Sequence, residues 1–256
     1  MKTIELSRYL LDEDAAEDYL RSNNVLKTFD ECPACKSGHL GRIRRQRYLC
    51  YECRYEWNIR KDSKLESTHM PLSSFIGMMK MFADGMTASQ CAYELGVSLM
   101  LTKRMFKNFQ EEIIGAVPNV KEEGTIFVHL KYENDQISLS IKDKPDYQYS
   151  NIRLNRTRGE DRQFYYELSY DSSKAKNILN PINRISELDL FYRFASERIK
   201  MFRGRNILGL YSALLELAFR YNHRKGNFYK FVLTKFDING GFSKISLKTH
   251  KKRRPI

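Results

Sequence analysis

The chain is predicted to be an α+β protein of several domains. Three observations predict this class. First, two C-x2-C cysteine pairs lie in the N-terminal part of the chain. Second, apolar residues recur at helical spacing over 70–113. Third, apolar and polar residues alternate after 124, as in strands, and helical spacing returns from 187. With 256 residues, the chain has room for two small modules and one domain of ordinary size.

The composition favours a nucleic acid as partner. Lysine and arginine outnumber aspartate and glutamate by 44 to 31, which leaves a formal net charge of +13 and attracts polyanions. Ribosome-like or membrane-surface binding would give a similar excess. No run approaches the eighteen or so apolar residues of a membrane span, and the N-terminus lacks a signal-peptide pattern. We expect no membrane partner, no small-molecule substrate, and a cytoplasmic location at the nucleoid, or a nuclear one in a eukaryote.

The charge is unevenly distributed along the chain. Residues 1–31 are acidic, with an acidic lead of helical character expected over 1–30, whereas residues 32–64 are strongly basic. The segment 243–256 contains KTHKKRRPI, which has no apolar partners to fold against and is predicted to be a disordered arm. Its candidate DNA contacts are Lys251, Lys252, Arg253 and Arg254.

The cysteines predict a metal site. Cys32 and Cys35 form one C-x2-C pair, and Cys50 and Cys53 form a second. Two such pairs on facing hairpins bring four thiolates around one ion, as in a zinc ribbon, which we expect over 31–64. The alternatives are disulfides, which a reducing compartment disfavours, and a thioredoxin-like redox pair, which would not occur in duplicate. A structural Zn2+ ion would supply about 10–16 kcal/mol of apparent folding free energy.

Arginines fill the segment between the two cysteine pairs, where a short pair of strands is predicted. The guanidinium fork matches phosphate oxygens, so phosphate contacts are the expected use of these side chains. The alternative is a solvated charged face. The candidate residues are Arg42, Arg44, Arg45 and Arg47.

A helical domain is predicted over residues 70–117. Pro71 begins a first helix, which ends at Asp84-Gly85. Thr87 begins a second helix, and Gln90 three residues later completes a capping-box pattern. On this second helix an apolar position is occupied by the fifth cysteine, which is predicted to be an ordinary core residue.

A third helix follows a turn at Gly96, with Ser98 as its cap. A short helix, a glycine turn and another helix have the spacing of a helix-turn-helix, whose last helix enters the DNA major groove. Any three-helix bundle could show the same pattern; the neighbouring basic module favours DNA binding. Candidate contacts on the polar side of the third helix are Lys103, Arg104, Lys107 and Asn108.

In the third region, residues 124–236, the spacing of the apolar residues changes from the alternation of strands to the spacing of helices. Alternating apolar residues predict a hairpin over 125–142 and a further strand pair at 151–156 and 162–170, and helical spacing predicts two or three helices from 187 onward. An antiparallel meander followed by helices is how ribonuclease-H-like domains begin and end. We therefore expect a truncated ribonuclease-H-like α/β domain here.

The order of these parts resembles the insertion-sequence DDE transposases of the zinc-ribbon class, relatives of the eukaryotic Merlin elements. The resemblance rests on the cysteine pairs, on GMTASQCAYELGVS, and on the block FRG followed by LYSALLELAFRYNHR. It covers roughly residues 12–235 and is faint between 135 and 185. It implies DNA binding, a synaptic homodimer and a magnesium-dependent nuclease domain.

Only one of the three acidic positions of that family is filled here. Aligning Gly124 and Tyr132 with the family's first nuclease strand places His129 and Leu130 where its Asp-Glu pair lies. Asp189 occupies the third acidic position, and the stretch for the second is shortened. Because paired magnesium ions require a cage of carboxylates, the resemblance implies a transposase descendant that binds double-stranded DNA without cutting it, with no catalytic residues.

Two alternatives remain open at this stage. A rearranged triad of Glu133, Asp171 and Asp189 would make the chain an active DDE-type transposase. Alternatively, the aromatic-rich last region would serve as a protein-interaction module of a regulatory or assembly protein. A homodimer is expected in either DNA-binding case, because a dimer binds paired half-sites.

Overall fold

The computed structural model describes residues 3–44, 46–115, 126–133, 136–142, 150–158, 164–170, 187–199 and 207–239, and over these residues it confirms the α+β class. The helices are α1 (Thr3–Leu11), α2 (Glu13–Ser22), α3 (Leu72–Ala83), α4 (Ala88–Leu95), α5 (Leu99–Ile114), α6 (Glu187–Ile199), α7 (Ile207–Asn222) and α8 (Phe228–Thr234). The strands are β1 (Leu40–Ile43), β2 (Arg47–Cys50), β3 (Glu56–Asn58), β4 (Ile126–Glu133), β5 (Gln136–Lys142), β6 (Ser150–Arg158) and β7 (Phe164–Tyr170). Within these ranges, every helix is too short or too polar to cross a membrane.

The chain divides into two compact units. One contains the residues up to Glu112 together with those from Tyr229 onward, and the other contains Ile113–Phe228. The last helix, α8, was expected to belong to the third region, but almost all of it packs with the first unit. The physical reason is Phe236, which lies just after α8 and ties the end of this helix to the first unit. It is fully buried, with its ring 5.4 Å from that of Phe75 and 5.6 Å from that of Phe109.

Local sequence signals set the ends of α3, α4 and α5. Helix α3 follows Pro71 and ends before Asp84, as the sequence predicts. At the start of α4, the Thr87 side chain and the Gln90 side chain cap each other's backbone N–H groups, which confirms the capping box. Gly96 ends α4 with a φ of +62°, a conformation that glycine adopts without strain.

The first sheet has the order β1-β2-β3 and is antiparallel throughout. Its register places Tyr48 opposite Trp57, and Leu40 opposite Cys50. Because side chains alternate across a strand, these residues share the face on which the small core of this region lies.

The second unit contains a four-stranded antiparallel sheet with the order β5-β4-β6-β7. All four strands lie where alternation predicts them. The order differs from a meander, however, because β6 pairs with β4 and not with β5. Alternation identifies a strand and its buried face, but both edges of the β4–β5 hairpin offer unpaired backbone groups, so the sequence pattern leaves the choice of edge open.

Helices α6 and α7 pack against this sheet and bury the core of the second unit. Val128 and Ile137 of the sheet contact a cluster that includes Phe191 and Leu214. The side-chain amide of Asn222, at the end of α7, both accepts from the Ile137 N–H at 2.8 Å and donates to the Ile137 C=O at 2.9 Å. This pair of hydrogen bonds fixes the end of α7 to the start of β5. The assignment of this unit to a ribonuclease-H-like fold stays a prediction.

Candidate functional site

The four cysteines of the two C-x2-C pairs come together at one point. Cys32 Sγ lies 3.6 Å from Cys53 Sγ, and Cys35 Sγ lies 3.5 Å from Cys50 Sγ. All four sulfur atoms are within 4.8 Å of one another. They lie close enough to hold one metal ion, and among the described residues they are the only group of three or more potential ligands that does so.

Both cysteine pairs have the same backbone geometry. The N–H of Lys36 donates to the Cys32 C=O at 2.9 Å, and the N–H of Arg54 donates to the Cys50 C=O at 3.0 Å. Lys36 and Arg54 have φ values of +64° and +60°, a region that residues with a Cβ rarely adopt. The two turns therefore hold their cysteines in equivalent positions around the cluster.

The electrostatics of the cluster favour a cation. Burial opposes ionisation of Cys32, but the backbone N–H groups of Cys35 and Ala34 lower the pKa of this thiol to about 7. At Cys53 the backbone N–H of Tyr55 favours the thiolate, but burial and the neighbouring thiols raise the pKa to about 12. Four thiols this close cannot all lose their protons unless a cation compensates their charge.

Only a small apolar core supports the cluster. We call residues 29–58 the cysteine module. Two of its four buried core residues are cysteines, and the other two are Phe29 and Trp57, whose rings lie 5.7 Å apart edge to face. Tyr48 packs against this core and stacks on Trp57 with centroids 5.6 Å apart. So few apolar groups supply little burial free energy, and a metal ion would therefore contribute much of the module's stability.

Arg42, predicted as a phosphate contact, is engaged within the protein. Its Nη2 donates to Glu17 Oε2 at 2.6 Å and to Asp14 Oδ1 at 3.1 Å. Glu17 is 2% exposed and also accepts from Arg21. The acidic lead thus packs on the cysteine module by ion pairs, which engage Nη2 of Arg42 and leave its side chain about half exposed.

The other arginines of this segment lie in different settings. Arg47 pairs with Glu56 at 3.1 Å across β2 and β3, and both side chains are about half exposed. Arg44, in the β1–β2 turn, is exposed and has no ion pair among the residues that the structure describes. Arg45 lies outside the described residues. Of the three described candidates, all of which are exposed, Arg44 is the one without an ion pair to another described residue.

Glu13 joins the lead to two other elements, a role that the sequence analysis missed. Its carboxylate accepts from the backbone N–H groups of Leu72 at 2.6 Å and Ser73 at 3.0 Å, and from Gln46 Nε2 at 2.9 Å. Pro71 supplies no side-chain cap to α3, so Glu13 does this from a distant part of the chain. Despite burial, the Ser73 and Leu72 N–H groups lower the pKa of Glu13.

Two basic residues counted within the basic stretch 32–64 are buried. Arg60 is 3% exposed and donates to the carbonyls of Thr68 at 2.7 Å and Met70 at 2.6 Å. Lys64 is 6% exposed and pairs with Glu112 at 2.6 Å. Their charges organise the segment before α3, and they are not part of a surface for nucleic acid.

Helix α5 has a buried and an exposed side. Thr102, Met105 and Phe109 are at most 1% exposed. Three candidate DNA contacts lie on the exposed side: Lys103, Arg104 and Lys107. Lys107 also pairs with Glu111 at 3.5 Å in an exposed contact. The fourth candidate, Asn108, is half-buried at the boundary between the two sides, where its amide contacts Met105 Sδ at 3.9 Å.

Exposed apolar side chains lie next to these basic residues, and the sequence analysis did not select them. Met100 is 82% exposed and Leu99 40%, both in the first turn of α5, and Tyr93 of α4 is 85% exposed. The signal that could have found Met100 is its spacing, because it precedes Lys103 and Arg104 by three and four positions and shares their helix face.

The positions aligned with nuclease acids are only partly described. His129 in β4 is 5% exposed, and Asp189 lies half-buried in the first turn of α6. Asp171, the side chain of Glu133 and the side chain of Leu130 lie outside the described residues, as do the candidate contacts of the tail at 251–254. The rearranged triad therefore stays a prediction.

Comparison with known proteins identifies no relative, because neither a protein-family model, nor a curated protein, nor a solved structure matches the chain.

Proposed function

We propose that the chain is a zinc-stabilised protein that binds double-stranded DNA without cutting it, with α4 and α5 acting as a helix-turn-helix. The observation that carries the proposal is the exposed side of α5, where Lys103, Arg104 and Lys107 project away from a side that is fully buried. A helix held by one face that presents a row of cations on the other fits the major groove, whose edges are lined by phosphates.

Zinc is the metal that best suits the four sulfur ligands. A tetrahedral Zn–S4 site with bonds of about 2.3 Å has its sulfur atoms roughly 3.8 Å apart. The two Sγ–Sγ separations given above, 3.5 and 3.6 Å, lie close to this value, and all four sulfur atoms are within 4.8 Å of one another. Thiolates select zinc over hard cations such as magnesium, so we assign the ion a structural role.

The proposed interface combines α5 with Arg44 and the basic tail at 251–254. Arg44 is exposed and has no ion pair among the described residues, whereas Arg42, also exposed, pairs with Glu17 and Asp14 of the acidic lead. Phosphate contacts from these groups would fix the position on the duplex, and side chains of α5 would contact base edges. Descent from a zinc-ribbon DDE transposase is part of this proposal, and the imidazole at 129 supports a non-cutting protein because it is a poor magnesium ligand.

A salt-dependent binding titration tests the proposal. The zinc-loaded full chain is titrated into a fluorescent duplex of mixed sequence, and anisotropy is followed at several salt concentrations. Six or more phosphate contacts predict a loss of affinity of about 10³ or more between about 50 and 200 mM salt. The Arg104→Ala variant is expected to bind more weakly, with a salt slope shallower by about 1 if Arg104 contacts a phosphate.

Lys225→Ala is the matched control, because Lys225 is an exposed lysine in the turn after α7. It removes one positive charge outside the proposed interface and should leave the salt slope unchanged. Equal losses for both variants, or binding with no salt dependence, would contradict the proposal. Adding magnesium to supercoiled plasmid in the same buffer tests cutting, since nicking that disappears in Asp189→Ala would establish the nuclease alternative.

A further inference from the structure

The first turn of α5 exposes apolar side chains whose role packing does not explain. Met100 is 82% exposed and Leu99 is 40% exposed. Single exposed apolar residues are common on protein surfaces. Here, however, two adjacent ones begin a helix whose next two turns expose Lys103, Arg104 and Lys107.

The order of apolar and basic side chains along the exposed face of α5 indicates which class of molecule this face binds. Met100, Lys103, Arg104 and Lys107 are three, four and seven positions apart, and therefore lie on one side of α5. The three cations favour an anionic partner. A second copy of the chain joined through this face would place the same cations opposite each other, which like-charge repulsion disfavours. The partner should be a polyanion that also presents apolar groups.

Duplex DNA presents one apolar group at its base edges in the major groove, the C5-methyl group of thymine. A thioether side chain is a weak hydrogen-bond acceptor and cannot use the donor and acceptor pattern of the other bases well. We infer that Met100, with Leu99 beside it, contacts thymine methyl groups and makes thymine part of the recognised sequence. This inference rests on the proposed function and adds to it a specificity-determining role for the apolar turn.

Replacing thymine by uracil removes the methyl groups and leaves every hydrogen-bonding atom in place. The experiment selects a binding site from random duplexes with the wild-type full chain, and then compares that duplex with its all-uracil counterpart by anisotropy. We expect the uracil duplex to bind about fourfold more weakly for each methyl group contacted, since burying one such group contributes about 0.8 kcal/mol. The Met100→Ala variant should prefer the thymine duplex less than the wild type does, and an unchanged preference would overturn the inference.

Two control variants make the result specific. Leu11→Ala truncates another exposed apolar side chain, 88% exposed at the end of α1, and should keep the full preference for thymine. Lys103→Ala should weaken both duplexes alike and preserve their ratio. Wild-type binding with equal affinity for both duplexes, or a selected site without thymine, overturns the inference and leaves the proposed function intact. Failure to bind any duplex overturns the proposed function itself.

Discussion

The cysteine module and the helices that follow it belong to one unit but are stabilised by different forces. The module buries a core of four residues, two of which are cysteines. The helices bury a continuous aromatic group instead, in which Phe109 lies 5.7 Å from Phe75 and 5.6 Å from Phe236, all of them fully buried. A metal ion at the four cysteines would therefore stabilise one part of this unit, while apolar burial stabilises the other.

Polar contacts join the two parts without merging their cores. Glu13 binds both Gln46 of the module and the first turn of α3, and Arg60 binds the carbonyls of the connecting segment. Such contacts fix position but contribute little net free energy in comparison with a metal ion or an aromatic core. A change that unfolds or destabilises the cysteine module should therefore leave the helices folded, and a change in the aromatic core of the helices should leave the module intact.

Removal of the metal has the largest expected effect, and it should act on the module alone. Chelation removes a contribution of about 10–16 kcal/mol in apparent terms. The chain has one tryptophan, Trp57, which stacks on Tyr48 and Tyr55 at 5.6 and 5.7 Å. We expect its fluorescence to shift to the red on chelation, while the far-UV circular dichroism of the helices is largely retained.

Cysteine variants sharpen this test. Cys50→Ser should abolish metal binding, as measured by atomic absorption, and should reproduce the red-shifted emission. Cys91→Ala is the matched control, because Cys91 is fully buried in the helices and burial raises its pKa to about 11. It should keep one metal ion per chain. Loss of helical signal on chelation would show that the two parts fold as one.

Truncation of Phe109 is the converse experiment, because it destabilises the helices and leaves the metal site of the module unchanged. Phe109→Ala removes a ring that contacts four other phenylalanines, Phe106 among them, at a cost of about 3–5 kcal/mol. Denaturant unfolding followed by circular dichroism should show this loss, while the metal content and the Trp57 emission of the folded protein stay unchanged. Phe106→Ala is the control, since Phe106 is only half-buried. It should cost clearly less, and equal losses would contradict a core centred on Phe109.

Local signals were sufficient to predict much of this structure. The Thr87–Gln90 capping box, the glycine turn at 96 and the alternation of β4 to β7 each depend on residues near in sequence, and the structure confirms them. The four cysteines were also predictable, because their spacing alone determines that two turns can face one ion. The fifth, Cys91, is a core residue as predicted.

What the sequence did not predict depends on contacts between distant residues. Lys64 resembles any other lysine of the basic stretch until α5 brings Glu112 to it, 2.6 Å away. Helical spacing in α8 shows that it has an apolar face, but not that Phe236, which follows the end of this helix at Thr234, packs against Phe75 and Phe109. Composition therefore overstated the basic surface, since the pairing of a charge is decided by the fold.

The smallest expected effect concerns Glu13, the contact between the two parts. Glu13→Gln keeps the size of the side chain but removes the charge that accepts from the α3 N–H groups, at a cost of about 1–2 kcal/mol near neutral pH. Because these N–H groups lower the pKa of Glu13 in the folded protein, its contribution is present above the ordinary glutamate pKa of about 4.3 and is lost as the pH falls through the lowered value.

Urea unfolding of Glu13→Gln and wild type at neutral and acidic pH measures this difference, with Glu66→Gln, an exposed glutamate, as control. Acid also weakens metal binding, because protons compete for the thiolates, but both proteins share that loss and it cancels in their difference. We expect the difference to disappear in acid and the Glu66 variant to match the wild type throughout. A difference that stayed constant with pH would mean that Glu13 acts through its shape, and that the two parts are joined by packing instead of charge.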